Sequence, residues 1–137
     1  MDNNKNLENF GSTESIIENK IEIREDLSSE IIESLKSIPG GNAGLIVLKG
    51  PKIGEKFLIT EDIFNIGREA DSDIFLEDIT VSRNHAKILK HEEQYEISDL
   101  GSLNGIYING NLSEKKELKN GDRIQIGKYI FYFFHLD

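Results

Sequence analysis

Cysteine is absent from the 137 residues, which excludes a disulfide framework and a thiolate metal site. No apolar run reaches membrane-spanning length, and no signal-peptide core is present. With the missing cysteines, this leads us to expect a cytoplasmic protein. Basic residues are scarce: 16 Lys and Arg stand against 25 Asp and Glu, a net charge of −9. That balance argues against nucleic acid, which calls for a basic footprint, and against an anionic membrane surface. Hydrophobic content is 37%, low for a fully folded chain, so part of the chain is expected to be unfolded.

What is present divides near Gly40. Residues 1–40 carry nine acids and four bases, and residues 41–137 carry 16 acids and 12 bases. Residues 1–20 are rich in Asn, Glu and Ser, with Phe10 as their one aromatic, and read as disordered. Ile23, Leu27, Ile31, Leu35 and Ile38 recur at three- and four-residue steps, a weak helical pattern that Pro39-Gly40-Gly41 would stop. Two readings stand: a nascent helix on a loose tail, or a helix that docks on a partner or on the domain itself.

From Gly44 onward, short runs of Ile, Val, Phe and Tyr alternate with turn residues, the texture of an all-β sandwich. The spacing predicts strands over 45–49, 56–59, 64–66, 74–75, 86–89, 95–98, 106–108, 123–126 and 129–134. Asn-Gly, a strong turn signal, occurs at Asn104-Gly105, Asn109-Gly110 and Asn120-Gly121. The expected organisation is a flexible acidic regulatory tail over 1–42 and a folded domain over 43–137.

Three turn segments carry the chemistry: Gly67-Arg68, Ser82-Arg83-Asn84-His85, and Asp99-Leu100-Gly101-Ser102-Leu103-Asn104-Gly105. Two arginines, two serines and an asparagine on loops suit one oxyanion. Arg keeps its charge and presents a planar fork of parallel donors, and serine hydroxyls and backbone N–H groups fill the remaining oxygens. On an acidic body this is a local basic spot, which favours geometric recognition over general polyanion binding. The enzymatic alternative is a hydrolytic set of Ser82, His85 and Asp99. Ser82 and His85 stand three apart where a loop enters a strand, without an oxyanion hole or metal set, so no catalysis, cofactor or metal is expected.

The joint order Gly-Arg, Ser-Arg-x-His and Ser-x-Asn-Gly resembles the forkhead-associated (FHA) domain, over about residues 44–134. Asn109-Gly110 and Gly121-Asp122 also fit that pattern. The resemblance implies an 11-stranded β-sandwich that binds phosphothreonine peptides with loops at one end. It assigns Arg68 and Ser82 to the phosphate, Arg83 as a second cation and Ser102 as a further hydroxyl donor. Asn104 is assigned to the peptide backbone, and Gly67, His85, Gly105 and Asn109 to structural support. Many FHA domains have Thr where this chain has Leu103. The segments Asp71–Asp78 and Gly101–Gly105 are most similar to the small actinobacterial regulators of the GarA and OdhI type, which also carry Leu there.

That closer resemblance implies a monomeric regulator that binds enzymes of 2-oxoglutarate and glutamate metabolism. It also implies a Ser/Thr protein kinase that phosphorylates a tail threonine, so that the tail occupies its own FHA site. The family tail has two adjacent threonines; here Gly11-Ser12-Thr13-Glu14-Ser15 has one, so Thr13 is the candidate phosphosite. The alternative is a plain phosphothreonine adaptor without autoinhibition.

Overall fold

A computed structural model describes residues 27–136. The expectations for residues 1–26, including Thr13 and the start of the helical pattern at Ile23, lie outside the described residues. From Ala43 the alternating pattern folds into eleven strands: β1 Ala43–Lys49, β2 Lys56–Leu58, β3 Ile63–Gly67, β4 Ile74–Phe75, β5 Ala86–His91, β6 Gln94–Asp99, β7 Ile106–Ile108, β8 Asn111–Ser113, β9 Lys115–Glu117, β10 Arg123–Ile126 and β11 Tyr129–His135. They form a six-stranded sheet, β2-β1-β11-β10-β7-β8, and a five-stranded sheet, β4-β3-β5-β6-β9. Neighbouring strands run antiparallel except β3 and β4, which are parallel.

The two sheets face each other across one apolar core. Alternate positions point inward, so Leu45, Ile66, Ile88, Ile97, Ile124 and Phe131 are fully buried between the layers. All nine strands expected from alternation are present, several of them a residue or two longer. β8 and β9 complete the eleven strands that the resemblance implies, at positions alternation does not mark. Asn111–Ser113 and Lys115–Glu117 are largely exposed and lack a periodic apolar signal. Pairing places them instead: Leu112 sits opposite Tyr107 of β7, and Lys116 opposite Ile97 of β6.

Among the described residues the helical pattern forms a short helix, α1 Ser29–Lys36. Ser28 caps its start, the hydroxyl accepting from the backbone N–H of Ile31 at 3.2 Å. Leu27, Ile31 and Leu35 lie four residues apart on one face. That face packs on Ile46, Tyr132, Phe134 and Leu136, the outward side chains of β1 and the end of the chain. The docked reading therefore holds for α1, and its partner is the domain itself. Packing crosses the 42/43 boundary expected from the sequence, because this sheet is apolar on both faces and needs a cover on its outer one.

Candidate functional site

Three loops meet at one end of the sandwich: β3–β4, β4–β5 and β6–β7. The first two are zipped by their backbones, Arg68 N–H donating to the Ser82 carbonyl at 3.0 Å and Glu69 N–H to the Arg83 carbonyl at 3.2 Å. This approach requires Gly67. A Cβ there would lie 2.0 Å from the Arg83 carbonyl oxygen. Gly67→Ala is expected to cost about 1–3 kcal/mol through this overpacking. Urea unfolding monitored by far-UV circular dichroism would measure it; a midpoint equal to wild type would show that the loops separate freely.

His85 joins the second loop to the third. It is fully buried. Its Nδ1 accepts from Ser82 N–H at 3.0 Å and its Nε2 lies 2.8 Å from the Gly105 carbonyl. An acceptor at Nδ1 and a carbonyl at Nε2 assign the proton to Nε2. Asp99 closes the third loop, accepting from the N–H groups of Gly101 at 3.1 Å and Ser102 at 3.2 Å and from the Ser102 hydroxyl. Gly105 turns the chain at φ +79°, and its N–H donates to Ser102 Oγ at 2.9 Å.

Within this frame Arg68 is exposed, and its Nε donates to the Val81 carbonyl at 2.9 Å. The two terminal nitrogens have no partner among the described residues. Arg83 is exposed on the adjoining loop. Ser82 Oγ accepts from Leu103 N–H at 3.0 Å, leaving its own proton to donate. Asn104 is exposed; it donates through Nδ2 to the Thr80 carbonyl at 3.1 Å and keeps its Oδ1 for another partner. Ser102 is half-buried; its hydroxyl donates to Asp99 and accepts from Gly105 N–H. Asn109 lies away from these loops, at the far end of β7. At φ +54° it donates to Asp122 Oδ1 and accepts from Arg123 N–H, both at 2.9 Å, tying the β7–β8 turn to β10.

The arrangement is unsuited to hydrolysis. Both ring nitrogens of His85 face backbone groups, so the Ser82, His85 and Asp99 side chains form no relay. Among the described residues no group of three or more His, Asp or Glu side chains is placed to hold a metal ion. What the loops offer is a set of fixed donors around two cations.

A further network was missed from the sequence. Asp78 Oδ1 accepts from Thr80 N–H at 2.8 Å, and Asp78 Oδ2 pairs with Lys128 Nζ at 2.8 Å. Thr80 Oγ1 accepts from Lys128 N–H at 3.1 Å. The Lys128 ammonium and the Thr80 donors hold the Asp78 carboxyl at about 2, so the link persists through the neutral range. It fastens the β4–β5 loop to the β10–β11 turn, bounding a cleft of about 300 Å³ beside Asn104. No local signal joins residues 48 apart in sequence.

The profile of the FHA domain family matches residues 64–127. The oxoglutarate dehydrogenase inhibitor of Corynebacterium jeikeium is 39% identical over 137 residues, covering 93% of this chain and 95% of that protein. The glycogen accumulation regulator GarA of Mycobacterium tuberculosis is 42% identical over 102 residues, 74% of this chain and 63% of GarA. Among solved structures, an FHA domain studied for its phosphothreonine-dependent interactions superposes with a TM-score of 0.65 at 26% identity, covering 70% of this chain and 98% of that one. Mycobacterium tuberculosis EmbR, in complex with a low-affinity phosphopeptide, gives a TM-score of 0.65 at 31% identity, covering 70% of this chain and 25% of EmbR.

Proposed function

This chain belongs to the FHA domain family, and on that premise we propose that it is a non-catalytic regulator whose loop end binds phosphothreonine peptides. The observation that carries the reading is Arg68, whose terminal nitrogens have no partner among the described residues, on a loop that the Gly67 contact and the Val81 carbonyl hold in place. Its fork takes two phosphate oxygens, and Ser82 Oγ–H donates to a third. Arg83 adds a second positive charge. Asn104 Oδ1 accepts from the peptide backbone. Ser102 serves through Asp99, by holding the loop that presents Asn104. The roles of inhibitor and regulator in the similar proteins support a partner among metabolic enzymes, with 2-oxoglutarate oxidation the first candidate.

A Ser/Thr kinase acting on Thr13 would supply a competing internal ligand. Leu27, packed with α1, is 14 residues beyond Thr13. A coil of that length spans roughly 20 Å, against a radius of gyration of about 13 Å for a domain of this size. The effective concentration is then on the order of millimolar, enough to displace a weaker external peptide.

Calorimetric titration of the full chain with a peptide of residues 9–18 tests both parts. The Thr13-phosphorylated peptide is expected to bind, and its phosphoserine analogue about fourfold more weakly for want of one methyl. The unphosphorylated peptide should not bind detectably; equal binding by it would refute phosphate recognition. After the protein itself is phosphorylated on Thr13, the peptide should compete poorly, whereas the Thr13→Ala protein treated in parallel keeps its affinity. Undiminished binding by the phosphorylated protein would leave a plain adaptor.

A further inference from the structure

The atom that holds the Asn104 side chain is the Thr80 carbonyl oxygen, and the atom that anchors Arg68 Nε is the next one along, the Val81 carbonyl oxygen. The third in the run, that of Ser82, accepts from Arg68 N–H at 3.0 Å. Three consecutive carbonyls therefore set where the guanidinium fork and the Asn104 amide stand relative to each other. Their spacing is built into the chain, since successive Cα atoms lie about 3.8 Å apart across a trans peptide.

The two ends of this run are held differently. Val81 is buried in the core, and its N–H donates to the Asp78 carbonyl at 3.0 Å. Ile79, the residue before Thr80, is 92% exposed, so apolar packing does not fix the Thr80 end. The β10–β11 turn fixes it instead. Lys128 N–H donates to Thr80 Oγ1 at 3.1 Å, and the Lys128 ammonium pairs with Asp78 at 2.8 Å. Asp78 in turn accepts from both the N–H and the hydroxyl of Thr80. Gly127 closes on the same residue. At φ +57° it approaches so near that a Cβ would lie 2.9 Å from the Thr80 carbonyl oxygen, the atom that holds Asn104. Gln125 of β10 braces Gly127, its side-chain amide donating to the Gly127 carbonyl at 3.3 Å.

We propose that the β10–β11 turn is a positioning element for ligand binding: Gly127 and Lys128, acting through Thr80, fix the place of Asn104 relative to Arg68. The inference rests on the phosphothreonine-peptide reading of the loop end. The turn belongs to the six-stranded sheet and Thr80 to a connection within the five-stranded one, so the readiness of the site depends on how the two layers meet.

Thr80→Val keeps the side-chain shape and the backbone carbonyl and removes the hydroxyl. Calorimetry of the full chain with the Thr13-phosphorylated peptide of residues 9–18 is expected to show binding about fivefold weaker, the loss that one hydrogen bond carries. Thr80→Ser should restore most of it. Gly127→Ala, which drives a methyl group at the Thr80 carbonyl, should weaken binding further. In the unliganded protein the side-chain amide resonance of Asn104 should move in Thr80→Val, and Arg68 Nε should stay in place. In a chain that already carries Asn104→Ala, Thr80→Val should have no further effect on affinity. An equal loss with and without Asn104 would overturn the proposal. So would full affinity in Thr80→Val and Gly127→Ala chains that remain folded by circular dichroism, or an Asn104 resonance that does not move. A wild-type chain that fails to bind the peptide would refute the phosphothreonine reading itself, while the Asn104 resonance would still report whether the turn positions that side chain.

Discussion

Arg68→Ala is expected to weaken phosphothreonine-peptide binding by about 2–5 kcal/mol, roughly 30- to several-thousand-fold in Kd. The size follows from deleting one partner of a desolvated charge pair, which leaves the phosphate without its bidentate donor. Arg68 is suited to this role because its Nε is anchored on the Val81 carbonyl at 2.9 Å, which orders the fork before ligand arrives. Arg68→Lys keeps the charge and loses both the fork and the anchor, so it should recover a small part of the affinity. Arg83→Ala should cost less than Arg68→Ala, since no comparable anchor orders its exposed side chain among the described residues. The fold should survive Arg68→Ala. One hydrogen bond to Val81 is lost, worth about 1 kcal/mol. Calorimetry with the phosphorylated peptide measures the effect, and a change below about 0.5 kcal/mol would mean that another group anchors the phosphate.

Leu35→Ala is expected to destabilise the protein by about 2–5 kcal/mol, a large share of the 5–15 kcal/mol typical of a domain. Leu35 is 0% exposed, on the face of α1 that packs on the outer face of the six-stranded sheet, with Phe134 and Leu136 in its cluster. Truncation removes buried methyl groups and leaves a cavity that the β1–β11 pairing cannot easily close. Ile32, partly buried at the margin of the same cluster, should cost less when truncated. Urea unfolding provides the comparison. A loss under about 0.5 kcal/mol for Leu35→Ala, the range of surface substitutions, would mean that α1 is not part of the cooperative unit. The variant also bears on the tail: once α1 is loose, the tether from Thr13 lengthens and its effective concentration falls.

Much of the site was legible because its chemistry is local in sequence. Asn104-Gly105 announces a turn, and the triplet of motifs carries the family and with it the supporting roles of Gly67 and His85. The helical period of Leu27, Ile31 and Leu35 was also readable, but its destination was not. Helical spacing specifies an apolar face without saying what covers it, and the partner residues Tyr132 and Phe134 lie about a hundred positions away. β8 and β9 were invisible for a related reason, as edge strands whose exposed residues take their conformation from β7 and β6. Ser102 shows the limit within a motif. Its place on the loop was readable, whereas the direction of its proton depends on where Asp99 ends up.

By itself the sequence determined the sandwich, the loops that carry the candidate phosphate site and the apolar stripe of α1, since alternation, turn chemistry and helical period are properties of neighbouring residues. Tertiary structure alone decided that His85 bridges two loops, that Asp78 and Lys128 tie a third element to them, and that α1 packs on the outer face of the six-stranded sheet over Ile46, Tyr132 and Phe134. These depend on strand register and layer packing, which bring together side chains that no local pattern relates.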